Sequence, residues 1–231
     1  MTTSHDKPAD TTMMGVVHDS LRRDLARLQT AMSGSPPPGD AQRRALAGHI
    51  DWMMNFLHHH HHGEDIGLWP LVRQRNPQAG PLLDRMEADH ARIALAVELL
   101  RQSAGRYATN GRDPVRTSAA AALSALAEPL LAHLRGEEDD VMPLVSASLT
   151  DAEWRAWDQQ HNVRGKSLSQ LAAEGHWLMD GLDPDRRDVL LHLVPAPARI
   201  IIVKGYARRY RTACARRWGP DVNVAPQPIA A

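Results

Sequence analysis

The sequence predicts an all-α protein, an up-down-up-down four-helix bundle with a C-terminal helical extension. Three observations predict it. Apolar residues in the first 145 positions recur at three- and four-residue steps, the spacing of amphipathic helices that face a shared core. Strand alternation is nearly absent there. The breaker-rich segments "SGSPPPGD", "NPQAGP" and "YATNGRDP" cut the pattern into four stripes joined by short connections.

The first stripe runs Met14, His18, Leu21, Leu25, Leu28, Met32. The second runs Leu46, His49, Met53, Phe56, Leu57, His60, Glu64, Leu68. The third takes Leu83, Met86, His90, Ile93, Val97, Leu100, and the fourth Leu123, Leu126, Leu130, His133, Glu137, with Val141 and Leu144 after it. Beyond Leu149, "LTDAEW" places Thr150 at an N-cap with Glu153 three residues on, a capping box that opens a fifth helix. "LDPDRRDVLLHLV" offers another start, capped by Asp183 with Pro184 at the first helical position. A basic helix is expected from about Pro197 to Trp218. The expected organisation is a disordered N-terminus over 1–10, the bundle over 11–147, the extension over 148–219 and a disordered tail over 220–231.

Composition narrows the chemistry. The chain has 231 residues, 43% of them apolar, with 27 basic against 27 acidic side chains, so no overall field points to nucleic acid or membrane. Cys214 is the only cysteine, which excludes a disulfide framework and any thiolate-rich metal site. A metal here must use nitrogen and oxygen ligands. The N-terminus lacks a basic region followed by an apolar core, and no apolar run reaches about 18 residues, so the expected compartment is the cytoplasm.

Five consecutive histidines, His58 to His62, stand inside "NFLHHHHHGEDIGLWPLV". An affinity tag would sit at a terminus; this run is flanked by helical pattern on both sides. At about 100° per residue only His60 continues the inward stripe with Phe56 and Leu57. His61 sits at the edge of that face and is a candidate seventh ligand, while His58, His59 and His62 are expected to face solvent or the bundle rim.

Each of the four stripes carries a histidine where a leucine is expected. One such residue reads as a hydrogen-bonded core histidine, but four in one core would each need a polar partner. A shared metal supplies it. Counting residues from the breaks at about 1.5 Å each places His18, His60, His90 and His133 at one level of an antiparallel bundle, within roughly one turn. Glu64 and Glu137 follow His60 and His133 at i+4, so each pair presents a nitrogen and an oxygen donor on one face. Six such donors exceed the needs of a single zinc site and suit two octahedral ions bridged by carboxylates.

The motifs "HDSLRRDLARL" from His18, "HHHGEDIGLWPLV" from His60, "EADHARI" around His90 and "HLRGEEDDVMPLV" from His133 together resemble the hemerythrin-like family of HHE cation-binding domains over about residues 11–147. The resemblance implies a non-haem di-iron centre inside a four-helix bundle. It implies His18, His60, Glu64, His90, His133 and Glu137 as ligands, with Glu64 and Glu137 bridging. Two Fe ions are the expected cofactor, ahead of Mn or Zn. The chain departs from the oxygen carriers of the family at Met86, where they have a further histidine. One iron is therefore expected to be short of a nitrogen ligand, which disfavours simple reversible oxygen carriage.

Other residues have expected secondary roles. Asp65 is a candidate acceptor for a ligand histidine. Glu138 belongs to a solvated acidic run with Asp139 and Asp140, or replaces Glu137 if the helix is distorted. His161 is a candidate additional ligand. His49 lies too far from His60 for the same site, and His5, His176 and His192 read as surface or supporting residues. Trp154, Trp157, His161, Tyr206 and Tyr210 are candidate lining of a pocket over the metal end.

The leading function is binding of, or reaction with, O2, peroxide or NO at the bundle-core metal site, from an electron donor the sequence does not identify. The alternatives are a di-iron oxidase or oxygenase acting on an organic substrate, and iron storage or sensing without turnover. The basic residues Arg199, Lys204, Arg208, Arg209, Arg211, Arg216 and Arg217 read first as a solvated face and only second as a surface for an anionic partner, since no nucleic-acid motif accompanies them.

Overall fold

The computed structural model describes residues 7–184, 186–187 and 206–219. The protein is all-α. Helix α1 spans Thr12–Ser33 and α2 Asp40–Gly63; a π-helical turn, Glu64–Leu68, leads from α2 into α3, Trp69–Arg75. Helix α4 spans Gly80–Thr109 and α5 Asp113–Gly136, and a second π-helical turn, Glu137–Val141, leads into α6, Met142–Ser148. The extension holds α7 (Asp151–Asp158), a third π-helical turn (Gln159–Val163), α8 (Leu168–Met179) and α9 (Ala207–Trp218). Helices α1, α2, α4 and α5 form the bundle, with α5 against α1 and α4 and α2 against α4.

The predicted stripes form the core, in two apolar layers. Leu21, Leu25, Leu28, Leu57, Ile93, Leu130 and Leu134 fill one layer. Met14, Leu68, Trp69, Leu83, Met86 and Val141 fill the other. His18, His60, His90 and His133 each fall between a member of one layer and a member of the other along their own helices, so the level worked out by counting residues is realised.

Both bundle-side π-helical turns precede a proline, Pro70 and Pro143, at the start of the next α-helical segment. A proline lacks the N–H that would close the preceding turn, and its ring collides with the carbonyl four residues back. Ile66 and Asp139 hold those carbonyls, inside the widened turns. The widening accommodates the proline without ending the helix.

The expected capping box at Thr150 and Glu153 is present, and Ser167 with Gln170 makes another at the start of α8. Of the expected disordered N-terminus, residues 1–6 lie outside the described residues. Lys7 and Ala9 bond to the chain at Asp151 and Leu149. Asp183 caps the backbone N–H of Arg186, as expected. The rest of that segment, His192, residues 197–205 of the basic helix and the tail after Gly219 lie outside the described residues, as does His5.

The extension is clasped to the bundle by one buried carboxylate. Asp24 accepts hydrogen bonds from His49 Nε2 at 2.7 Å, Trp177 Nε1 at 2.8 Å and Arg23 Nε at 2.9 Å, and pairs with Arg27 at 3.2 Å. Arg217 Nη1 in α9 donates to His49 Nδ1 at 2.7 Å. Asp180 completes the clasp by accepting from Arg27 and Tyr210 Oη. Arg217 therefore faces inward, whereas Arg208, Arg209, Arg211 and Arg216 are exposed. His176 is buried and stacks on Tyr210 at 5.6 Å, so the surface role read from the sequence does not hold. It stands among the apolar positions of α8, which the lack of a spaced partner did not reveal.

Burial works against the charge on Asp24, but His49 and Arg23 outweigh it and hold its carboxyl far below the usual 3.8. The stabilisation is then present above 3.8 and is lost as pH falls through the folded value. Asp24→Asn, which leaves buried donors without their charge partner, is expected to cost roughly 3 kcal/mol at neutral pH. Urea unfolding across pH checks this: the gap to wild type should narrow below 3.8, and a gap that stays constant into acid, or none at neutral pH, would refute the clasp.

Candidate metal centre

Seven polar side chains converge between the two apolar layers, and all are almost fully buried. His18, His60 and Glu137 bring one ligand atom each to within 4.8 Å of one another, and His61, His90 and His133 do the same. Glu64 spans the two groups, its oxygens 3.2 Å from His60 Nε2 and 3.6 Å from His90 Nε2. Glu137 also spans them, 3.4 Å from His18 Nε2 and 3.6 Å from His133 Nε2. Each carboxylate thus reaches an imidazole of both groups.

The position of His61 corrects the sequence reading. Rather than sitting at the edge of the inward face, it is buried and stacked on His90 with ring centroids 4.0 Å apart. Its ring thereby adds a nitrogen to the group that holds His90 and His133, where Met86 supplies none. Met86 itself is buried in the apolar layer beside the site. His60 and His61 are successive residues whose side chains diverge by about 100°. They can both point inward because they serve different groups of donors.

The acceptors behind the imidazoles are equally specific. His90 Nδ1 donates to Asp65 at 2.7 Å, as expected for a residue that sets the tautomer, so Nε2 is left as the lone-pair nitrogen. His18 Nδ1 donates to Glu138 at 2.8 Å. Glu138 is therefore neither a free solvated residue nor a substitute for Glu137. Arg22, one turn after His18, grips it with both guanidinium nitrogens at 2.8 Å. The i+4 spacing of Arg22 from His18 was the available signal for this pair. Asp139 and Asp140 remain exposed, as expected.

His161 joins neither group of donors. It packs on the outer side of the first π-helical turn, where a Cβ added at Gly67 would lie 2.6 Å from His161 Nε2 and 2.8 Å from Trp157. Trp157 Nε1 donates to the Gly63 carbonyl at 2.9 Å. The segment α7 and its π-helical turn therefore brace the backbone that carries His61 and Glu64. Of the other proposed lining residues, Trp154 packs at a tilt against Trp157, and Tyr210 belongs to the Asp180 clasp.

Electrostatics mark the donor set as poised for a cation. Burial pushes His60 down to about 3 and His133 down to about 4, so both are neutral bases at physiological pH, and burial lowers His61 well below its ordinary range too. Burial works against charge on His18 too, but Glu137 and Glu138 outweigh it and raise its pKa. Burial and the neighbouring Glu137 push Glu64 well above the carboxylate range. Burial opposes ionisation of Glu137 as well, yet His18 and the other imidazoles hold it at about 2.

The Nε2 atoms of His18, His60 and His61 and both oxygens of Glu64 and Glu137 are buried without a hydrogen bond. Each orphaned polar atom costs on the order of 1–3 kcal/mol in a metal-free core. Imidazole nitrogens and carboxylate oxygens converging in two groups, with bridging carboxylates, are a donor set that fits two cations and leaves no thiolate to bias the choice.

No curated protein and no solved structure matches the chain. The family model of the hemerythrin HHE cation binding domain matches residues 10–145. No helix among the described residues is long and apolar enough to cross a membrane. The match covers more than half of the sequence and takes in the whole donor set, and the chain belongs to the hemerythrin HHE cation-binding family.

Proposed function

We propose that this is a cytoplasmic, non-haem di-iron protein that binds or reacts with O2, peroxide or NO. The observation that carries the reading is the pair of carboxylates, Glu64 and Glu137, each within reach of imidazoles from both donor groups. His18 and His60 serve one ion. His61, His90 and His133 serve the other. Glu64 and Glu137 bridge them. Bound iron would supply a change of oxidation state and a coordination position for the small molecule, since these side chains do not fill two octahedra.

The chain's own residues do the rest. Asp65 and Glu138 hold His90 and His18 with their Nε2 lone pairs inward, and Arg22 fixes Glu138. Glu64, whose carboxyl is raised well out of the ordinary range by burial and by Glu137, is the donor whose charged form a bound cation would favour most. The apolar layers on both sides exclude water from the centre. Cys214 is a free thiol, in keeping with a reducing compartment.

Metal analysis of protein purified without a histidine-affinity step tests the centre: about two irons per chain are expected. His60→Ala, His61→Ala and His133→Ala each remove a donor from one group alone, and each should bring the iron content down to about one per chain or less. Full iron content in the His60→Ala and His133→Ala variants would defeat the reading. An optical spectrum recorded as O2 is admitted to the anaerobically reduced protein then tests the ligand class, and an unchanged spectrum with O2, peroxide and NO would exclude it.

The metal-free state supplies a second test. Glu64 is a fully buried carboxyl set beside the carboxylate of Glu137, and both burial and that neighbour disfavour its charge. Glu64→Gln is expected to raise the stability of the metal-free protein by about 1–2 kcal/mol, and to remove the rise in melting temperature that iron gives the wild type. Chemical denaturation in chelator and thermal melts with iron would measure the two effects; a destabilised metal-free variant would contradict the assignment.

A further inference from the structure

The five-histidine run divides unequally. His60 and His61 point into the core, and His59 is exposed with its Nδ1 tied to the Asn55 carbonyl at 2.8 Å. His58 and His62 remain. Both are exposed, they stand at i and i+4 on α2, and their rings lie parallel within 14° at a centroid separation of 6.1 Å. Among the described residues neither is seen in an ion pair or a hydrogen bond.

We propose that His58 and His62 form a second, surface chelate for a divalent transition-metal ion, on the outer face of the helix turn whose inner face carries His60 and His61. Imidazole is the ligand that zinc, nickel and copper share. Residues at i and i+4 lie one above the other, and a small rotation of two solvent-exposed rings brings a nitrogen of each to one ion. The helix holds the second imidazole beside the first, so the pair binds far more tightly than a single surface histidine, by about a hundredfold. Water and solution ligands fill the remaining positions, which makes this an exchangeable site, unlike the enclosed donors of the core.

Its placement suggests what it does. An ion captured at His58 and His62 is held one helix width from the buried donors, on the same two turns of α2, and the site serves as a loading station for the centre. That role rests on the proposed di-iron reading. The chelate itself does not.

Nickel titration by calorimetry tests the chelate on full-length protein that has first been loaded with iron and freed of excess by gel filtration. One surface equivalent of Ni2+ is expected. His58→Gln and His62→Gln should each weaken it by about a hundredfold, and His59→Gln should leave it in place. Binding that is unchanged in either of the first two variants, or lost equally with His59→Gln, would overturn the proposal. Circular dichroism of each variant excludes unfolding as the cause, which is not expected for exposed positions. The iron content after gel filtration reports on the buried centre and the nickel isotherm on the surface pair, so either can fail without the other.

Discussion

The structure depends on one constraint: a layer of imidazoles and carboxylates is buried in the middle of a bundle that would otherwise be held by leucine and methionine. Ionisable groups in such a place are costly unless something shares their lone pairs and charge. The surrounding structure is organised to meet that cost. Asp65 and Glu138 take the outer nitrogens of His90 and His18, and Arg22 neutralises Glu138 at the boundary with solvent. The inner nitrogens and the oxygens of Glu64 and Glu137 are left to one another. A cation is the partner that satisfies them together, which is why the family membership and the geometry point the same way.

Much of this was legible in the sequence because helices convert spacing into position. The four stripes, the shared level of His18, His60, His90 and His133, and the two H-x-x-x-E pairs follow from the rise and turn of an α-helix. What spacing could not reveal are the places where the chain leaves that geometry or where contacts come from distant segments. His61 was placed at an edge because the ideal helical wheel offers one inward direction, whereas the core here accepts two neighbouring ones for two groups of donors. The π-helical turns were signalled only by Pro70 and Pro143. The packing of Trp157 on Gly63 joins residues far apart in sequence, and no periodicity reports such a contact.

The extension gains meaning from its two attachment points. At one, α7 and the turn after it lean on Gly63 and Gly67, behind the ligand-bearing turn. At the other, α8 and α9 converge on Asp24 and His49 through Trp177 and Arg217. Between them Trp52 and Phe56 stack along α2 from His49 to His60, with ring centroids 5.7, 6.1 and 6.3 Å apart, and Trp177 packs edge-on against both. Helix α2 is thus the member of the bundle that both attachments grip, and with His60 and His61 it carries more of the donors than any other helix.

The two halves of the bundle repeat one arrangement of residues and elements. Each is a helical hairpin with one histidine on its first helix and an H-x-x-x-E pair, a π-helical turn and a proline on its second. Each turn sends the acid beside its glutamate across to the other half, Asp65 to His90 and Glu138 to His18. Even the methionines match, Met14 standing before His18 as Met86 stands before His90. The repeat fails at one position: the counterpart of His61 is Leu134, an apolar core residue. A repeated shell with one unmatched imidazole makes the two groups of donors chemically inequivalent. Any difference between them in affinity for a cation is then written largely in a single side chain.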